Sequence, residues 1–435
     1  MAKKTILFFC FIIYLNKILP QSKTDDYKVA DWFEFKKAAI TYTFDDNCSN
    51  QLLKIVPMFD EYGFKLTLYT VTNWGPNWKA LNNAAENGHE IASHTVSHPY
   101  LDQLSESELE NELENSAEAI HSNIKTGTPL TIAYPYCRPG KLSLVKKYYI
   151  AARGCQGYIE KKTPSDLFNI SSIICGSEGP VKTVKEFNTK AEEAARSGGW
   201  CVYLLHGIDD DGGYSPLPSD TLRKSLDYLK KNDDRFWVDN FINVVKYIGE
   251  RNSLTINETY RSNDTIIFTA NDTLDDNVYD FPVTVRRKIP VGWKSYILIQ
   301  NNKEITFKVI QENGQDYIVF NVAPDSAEIF FIKNKTTEIK DEFKDGNLKS
   351  GRLNNYPNPF NLSTNITFSL DEPGVVKLTI YDVLGRQVDT VSKIYSAAGE
   401  HLLTYSANKL SGGVYFYALD TSRGRIGVNK MSLLK

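Results

Sequence analysis

Several things are scarce in this 435-residue chain, and each scarcity excludes something. Charge of one sign is absent in excess. The 50 basic residues stand against 53 acidic ones, a net charge of −3, so neither nucleic acid nor an anionic membrane surface is called for as a partner. Long apolar runs are absent beyond the N-terminal segment, and no stable membrane insertion is expected. Cysteine numbers six, stops at Cys201 and never forms a C-x-x-C pair, which argues against a structural zinc ribbon. No internal period of roughly 20–50 residues stands out, so a solenoid is not expected. Histidine is also scarce, six in all, which makes the placing of each one informative.

The N-terminal segment reads as a secretory signal peptide over residues 1–22: Lys3 and Lys4, an apolar stretch over 6–14, then polar Gln21, Ser22 and Lys23. Asn16 and Lys17 interrupt its tail and leave the cleavage point open. The cysteines that follow are Cys48, Cys137, Cys155, Cys175 and Cys201. An odd number requires one free thiol and leaves room for one or two disulfides in an oxidising compartment, with no connectivity readable from spacing. Cys48 and Cys137 read best as small buried apolar residues. At this length roughly two to four domains are expected.

Four apolar runs carry ionisable groups at their C-terminal ends. They cover residues 38–47 (AAITYTFDDN), 89–101 (HEIASHTVSHPYL), 131–140 (TIAYPYCRPG) and 200–208 (WCVYLLHGI). Strands that end in reactive residues are how α/β barrels present chemistry. Helical periodicity over 52–62, 105–124, 219–231 and 238–250 alternates with these runs, the second opening on a capping signature, Ser105-Glu106-Ser107-Glu108. The spacing predicts an α/β barrel over residues 26–251. Asp45-Asp46, His94-x-x-x-His98 and His206 together supply a metal-ligand set with a spare carboxylate and a spare imidazole.

Those residues resemble the polysaccharide deacetylase family, the NodB-homology or carbohydrate esterase family 4 domain. The match runs through Thr43-Phe44-Asp45-Asp46, His94-Thr95-Val96-Ser97-His98, Tyr134-Pro135-Tyr136 and Leu204-Leu205-His206, four segments in the family's order. The resemblance implies a distorted (β/α)7 barrel. It also implies a divalent cation, zinc first and cobalt or nickel as alternatives, held by Asp46, His94 and His98. By the same resemblance Asp45 is the general base, the backbone N–H of Tyr136 stabilises an oxyanion, and His206 is the general acid. His98 precedes Pro99, which disfavours helix there, so the histidine pair is expected on a tight loop after a strand over 90–93.

Two family features are missing. Ala133 stands where the family carries the arginine that orients the base, and Cys137 stands where it carries glycine. Arg153 or Arg138 can replace that arginine, and Arg153 is preferred. The acidic segment that normally partners the late histidine is absent as well. Asp209-Asp210-Asp211 reads as an acidic loop at the rim, and Trp200 as either a pocket or a core residue.

Beyond residue 253 the texture changes to short alternating runs over 265–270, 283–287, 295–300, 304–310, 315–322 and 328–332, bounded by Asn, Asp, Gly and Pro. This predicts an all-β sandwich over 253–333 that either binds glycan, with Trp293 and Tyr296 as candidates, or braces the barrel. A charged linker over 334–352 follows. Residues 353–435 are again β-rich, with strands expected over 365–370, 375–383, 401–405 and 413–421. Asn355-Tyr356-Pro357-Asn358-Pro359-Phe360, Tyr381-Asp382-Val383-Leu384-Gly385-Arg386 and Leu410-Ser411-Gly412-Gly413-Val414-Tyr415 resemble a type IX secretion C-terminal sorting domain. That implies an Ig-like β-sandwich, the type IX machinery as a partner, and an extracellular or cell-surface location.

The expected activity is a secreted, metal-dependent deacetylase acting on N- or O-acetyl groups of a polysaccharide of the chitin, peptidoglycan or acetyl-xylan type. Two alternatives stand beside it: an inactive carbohydrate-binding surface protein, and an amidohydrolase of small cyclic amides. The intact residue set argues against the first, and the signal and sorting segments against the second.

Overall fold

The computed structural model describes residues 26–301, 303–333 and 353–434, so the signal and linker readings over 1–22 and 334–352 lie outside the described residues. After β1 (Tyr27–Val29), the chain enters an alternation of strands and helices. It runs β2 (Ala38–Asp45), α1 (Val56–Tyr62), β3 (Thr67–Thr70), α2 (Trp78–Glu86), β4 (Glu90–Ser93), α3 (Glu106–Asn123), β5 (Thr131–Ala133), α4 (Leu142–Tyr148) and β6 (Ala151–Arg153). It continues β7 (Ile173–Ile174), α5 (Val184–Ser197), β8 (Trp200–Leu205), α6 (Ser219–Lys231), β9 (Phe236–Val238) and α7 (Phe241–Ser253).

Strands β2 to β8 form one curled parallel sheet in the order β6-β5-β4-β3-β2-β8-β7. A bridge between Arg153 and Ile170, just ahead of β7, joins its two ends. β2 is central, and all eight of its residues are buried, as expected for a parallel strand covered on both faces. Helices α3 and α5 open on reciprocal capping boxes, Ser105 with Glu108 and Thr183 with Glu186. On α3, Leu109, Leu113, Ser116, Ala117 and Ile120 are buried, the spacing of one helical face.

Some expected boundaries shift. The 52–62 helix begins as a π-helical turn, Gln51–Ile55, before α1. The last barrel helix starts at Phe241, capped by Asn240, because Val238 belongs to β9 and pairs with Ile40. Helices α2, α4 and α5 escaped notice, since each is short or has a narrow apolar face.

Two further β units follow. The first holds β10 (Thr255–Arg261), β11 (Thr265–Asn271), β12 (Val283–Lys288), β13 (Tyr296–Gln300), β14 (Lys303–Glu304), β15 (Phe307–Glu312), β16 (Gln315–Val322) and β17 (Ile329–Lys333). Its sheets are β10-β11-β17-β13-β14 and β12-β16-β15, the latter extended by β1, which pairs Tyr27 with Arg287. One continuous apolar cluster joins Trp237, Phe241 and Tyr247 of the barrel to Phe268, Phe320 and Phe331 of this sandwich. Trp293 and Tyr296, the glycan candidates, pack on Phe331 instead, and Trp293 Nε1 donates to the Asn263 carbonyl. Trp293 is a core residue, and Tyr296 is a partly buried one packed against that core.

The second unit holds β18 (Asn354–Tyr356), β19 (Ser363–Leu370), β20 (Gly374–Tyr381), β21 (Gln387–Tyr395), β22 (Gly399–Ser406), β23 (Gly413–Thr421) and β24 (Gly424–Leu433). Two antiparallel sheets, β18-β19-β22 and β21-β20-β23-β24, enclose their own core around Ile366, Phe368, Leu378 and Tyr417. β21 and β24 were missed, because their exposed polar residues dilute the alternation.

Candidate active site

The C-terminal ends of β2, β4, β6 and β8 converge on one patch. β2 delivers Asp45, after which Asp46 (φ 73°) and Asn47 (φ 54°) turn the chain through the left-handed region that Asn and Asp tolerate best. The Asn47 amide holds that turn to the end of β3: Nδ2 donates to the Val71 carbonyl at 2.8 Å and Oδ1 accepts the Val71 N–H at 3.2 Å. β4 ends at Ser93 and delivers His94, while His98 (φ 61°) closes the tight loop expected before Pro99. Glu112 on α3 clamps this loop, its Oε2 accepting from the Val96 and Ser97 N–H groups at 2.8 and 2.9 Å. Sequence reasoning missed Glu112, whose only signal was an acidic residue on a helix already rich in them.

Asp46, His94 and His98 bring one ligand atom each to within 4.8 Å of one another, the one such group among the described residues. Nδ1–H of His94 donates to the Ala133 carbonyl at 2.9 Å, which leaves Nε2 free as a donor toward a cation. The Nε2 atoms of His94 and His98 stand 3.5 and 3.6 Å from Asp46 Oδ1. Two ligands on one zinc ion at about 2.1 Å sit about 3.4 Å apart in tetrahedral geometry, so this spacing suits shared ligation better than hydrogen bonding. Asp46 Oδ1 is buried without a hydrogen-bond partner, as an atom reserved for a cation would be. Burial pushes the proton affinity of His94 down to about 3 and lowers that of His98, so both imidazoles are neutral, the form that binds metal.

Asp45 has a different environment. Burial would raise its pKa, but the Arg153 guanidinium outweighs that and holds the carboxyl below its ordinary range. Arg153 Nη2 donates to Asp45 Oδ2 at 2.5 Å, and Asp45 Oδ1 is left without a partner. The preferred substitute for the missing arginine therefore reaches Asp45 from β6. Arg138 does not: it forms a surface ion pair with Asp102 at 2.6 Å. Burial, and then the charge of Asp45, raise the neighbouring Asp46 to about 7.

His206 follows β8, with Nε2 3.8 Å from both Asp45 Oδ2 and Asp46 Oδ2. Its Nδ1 is buried with no partner, in keeping with the absent acidic segment. Gln51, also missed, ties the two strand ends together: its Nε2 donates to the Asp45 carbonyl at 2.6 Å and to the His206 carbonyl at 3.0 Å. Among the rim acids, Asp209 pairs with Lys54, and Asp211 accepts from the Ile208, Gly213 and Asn50 N–H groups, so both build the loop. Trp200 is fully buried and donates to Thr41 Oγ1, a core residue. Cys137 is not a buried free thiol as read above: it forms a disulfide with Cys155, with a Cα–Cα separation of 5.7 Å. Cys48, Cys175 and Cys201 are free.

Four half-exposed aromatics rim the patch. Trp74 and Tyr136 flank His98 at 5.2 and 4.5 Å, Tyr100 stacks on Tyr136 at 4.1 Å, and Tyr214 meets His206 at 5.0 Å.

Residues 34–149 match the family described as polysaccharide deacetylase, a span that includes Asp45, Asp46, His94, His98 and Tyr136 but not Arg153 or His206. Residues 354–431 match the secretion system C-terminal sorting domain. The chain is 28% identical over 337 residues to a gellan lyase from Bacillus sp., an overlap of 72% of this chain but only 14% of that protein. Among solved structures, the Xyl-CE4 domain of a multidomain xylanase from the hindgut metagenome of Trinervitermes trinervoides is 19% identical. That likeness covers 49% of this chain and 91% of the other, with a TM-score of 0.36. A family 4 acetyl xylan esterase from Clostridium thermocellum, in complex with a cobalt ion, is 17% identical over 48% of this chain and 91% of its own, with a TM-score of 0.35. The chain therefore carries a domain of the polysaccharide deacetylase family and, C-terminal to it, a type IX secretion sorting domain.

Proposed function

We propose that the protein is a metal-dependent deacetylase that hydrolyses N- or O-acetyl groups of an extracellular polysaccharide. The observation that carries this reading is the convergence of Asp46, His94 and His98 on one point, with Asp45 and His206 beside it. A divalent cation held by those three residues would supply Lewis acidity toward a water molecule and a carbonyl oxygen. The remaining work falls to the protein's own groups.

Asp45, kept ionised by Arg153 and with its Oδ1 free of any partner, takes the proton of the attacking water. Attack on the acetyl carbon places negative charge on the former carbonyl oxygen, and the Tyr136 N–H donates to it. His206 delivers a proton to the departing sugar amine or hydroxyl, and acetate leaves. Burial lowers the proton affinity of His206, so it starts neutral; the proton that Asp45 takes from the water passes to its Nε2, 3.8 Å from Asp45 Oδ2, and from there to the leaving group. The aromatic rim offers apolar faces for sugar rings, which favours a polymer lying across the mouth over a small cyclic amide in a closed pocket. The relative named gellan lyase also has a polysaccharide in its name, and a polymer of that class is proposed here.

The sorting domain indicates type IX export to the cell surface or the extracellular space, and among the described residues no helix is long and apolar enough to cross a membrane. A cleaved signal peptide over residues 1–22 would start that route. Acetate release from chitooligosaccharides, peptidoglycan and acetyl-xylan tests the activity. Release should stop on chelation and return with zinc or cobalt. A folded, metal-loaded protein that frees no acetate from any of the three would end this reading.

A further inference from the structure

We propose that the Cys137–Cys155 disulfide is a positioning device of this site, holding the turn that presents the Tyr136 N–H against the strand end that presents Arg153. The role of that N–H rests on the deacetylase reading; the tether rests on geometry. Cys137 directly follows Tyr136, and Cys155 lies just beyond Arg153, so the bond joins the loops after β5 and β6.

Those two loops have no other fastening. β5 and β6 pair as far as Ala133 with Arg153, and the Tyr134 N–H still reaches the Arg153 carbonyl at 3.2 Å. The next residue, Gly154, donates to Ile170 at 2.8 Å instead, and the ladder parts. Among the described residues, no hydrogen bond joins 135–138 to 154–157. The disulfide spans the gap at that point.

The turn also needs restraint. Tyr136 (φ 54°) and Cys137 (φ 59°) are successive side-chain-bearing residues in the left-handed region, a conformation that relaxes unless its surroundings impose it. Its own backbone bonds, Cys137 N–H to Tyr134 and Arg138 N–H to Pro135, lie within the turn and would move with it. The Tyr136 ring is 52% exposed and touches one face of the site, the His98 imidazole and the Tyr100 ring, so packing anchors it on that side alone. A glycine at residue 137 would adopt this φ without strain, whereas a side chain there must be held by its surroundings, and the bond supplies that hold.

The test uses the full chain, loaded with zinc, as the wild type and as the double variants Cys137→Ala/Cys155→Ala and Cys137→Gly/Cys155→Ala. Loss of one oxyanion donor lowers kcat by about 10²–10³-fold, so partial loss in the alanine pair should lower it by about tenfold or more. KM and zinc affinity should stay within about twofold, since neither depends on this N–H. Amide hydrogen exchange over 134–138 should quicken in the same variant. The glycine pair should recover most of kcat. A water-soluble phosphine, which takes oxygen from water to become its oxide as the disulfide becomes two thiols, should bring the wild type down to the alanine pair and leave the glycine pair unmoved.

An alanine pair with wild-type kcat and wild-type exchange would overturn the proposal. Equal losses in the alanine and glycine pairs would overturn it as well, because the bond would then serve the fold at large. If the wild type itself releases no acetate, the deacetylase reading fails, and the exchange comparison still decides the tether.

Discussion

The mouth of the barrel and the C-terminal sandwich handle backbone conformation in opposite ways. Around the mouth, Asp46, Asn47, Thr95, His98, Tyr136, Cys137, Asp209 and Ser215 all carry side chains at positive φ. In the described part of the C-terminal sandwich, positive φ falls on glycines alone: Gly385, Gly399, Gly413 and Gly424. Buried polar atoms divide similarly. Asp45 Oδ1, Asp46 Oδ1, Arg153 Nε and His206 Nδ1 have no partner, whereas no such atom occurs in the described sandwich. The sorting-domain unit follows the ordinary rules of turns. The barrel mouth holds costly conformations and unpartnered hydrogen-bonding groups, the arrangement expected of a site, and neighbouring contacts keep them in place.

The strongest way to break this contrast is at Asp45. Asp45→Ala should lower turnover by about 10³-fold or more while bound metal stays near wild type; His98→Ala should lose both, read by acetate release and metal analysis. Normal turnover in Asp45→Ala would remove the base assignment. Arg153→Met comes next. It strands the buried Asp45 carboxylate without its partner, so stability should fall by about 3–5 kcal/mol in denaturant titration, with kcat falling alongside. An unchanged midpoint would mean that the ion pair is not formed.

Glu250 asks whether an unpartnered buried polar atom away from the mouth is simply a cost. It lies on α7, 1% exposed, with Oε2 lacking a partner. Burial, then contact with Asp272 and the charges of Asp276 and Asp325, raises its pKa to about 9. The folded state thus holds a proton that the unfolded state releases above about pH 4.5, so stability falls as pH rises from there toward 9. Glu250→Gln should therefore raise stability at pH 8 by several kcal/mol, at about 1.4 kcal/mol for each pH unit above the unfolded value, and change little at pH 4, as read by thermal melting. A destabilised variant at pH 8 would instead make that carboxylate a useful group. The smallest effect is expected in the tail. Gly385→Ala, at φ 77° in open space, should cost about 1 kcal/mol and leave acetate release untouched.

Much of the site was legible before the structure because its elements are local. A strand that ends in two aspartates, a loop that must turn before Pro99 and an imidazole at the end of an apolar run are all short-range patterns. Strands with strong alternation, such as Gln315–Val322 and Gly413–Thr421, were read to the residue. Glu112, Gln51 and the Cys137–Cys155 pair were not legible, since each acts across an element boundary on a partner that no helix or strand period links to it.

Local order in the amino acids was enough for the type of many elements, the aspartates and histidines at the strand ends and the order of the three units, though not for α5, β21 or β24. Periodicity and capping act within a few residues, and they survive in the unfolded chain. Three-dimensional packing alone brought Arg153, the residue already preferred, onto Asp45, paired the cysteines, and put Tyr27–Val29 into the second unit's sheet. Those choices depend on which surfaces meet when the barrel curls, and no spacing along the chain encodes that distance.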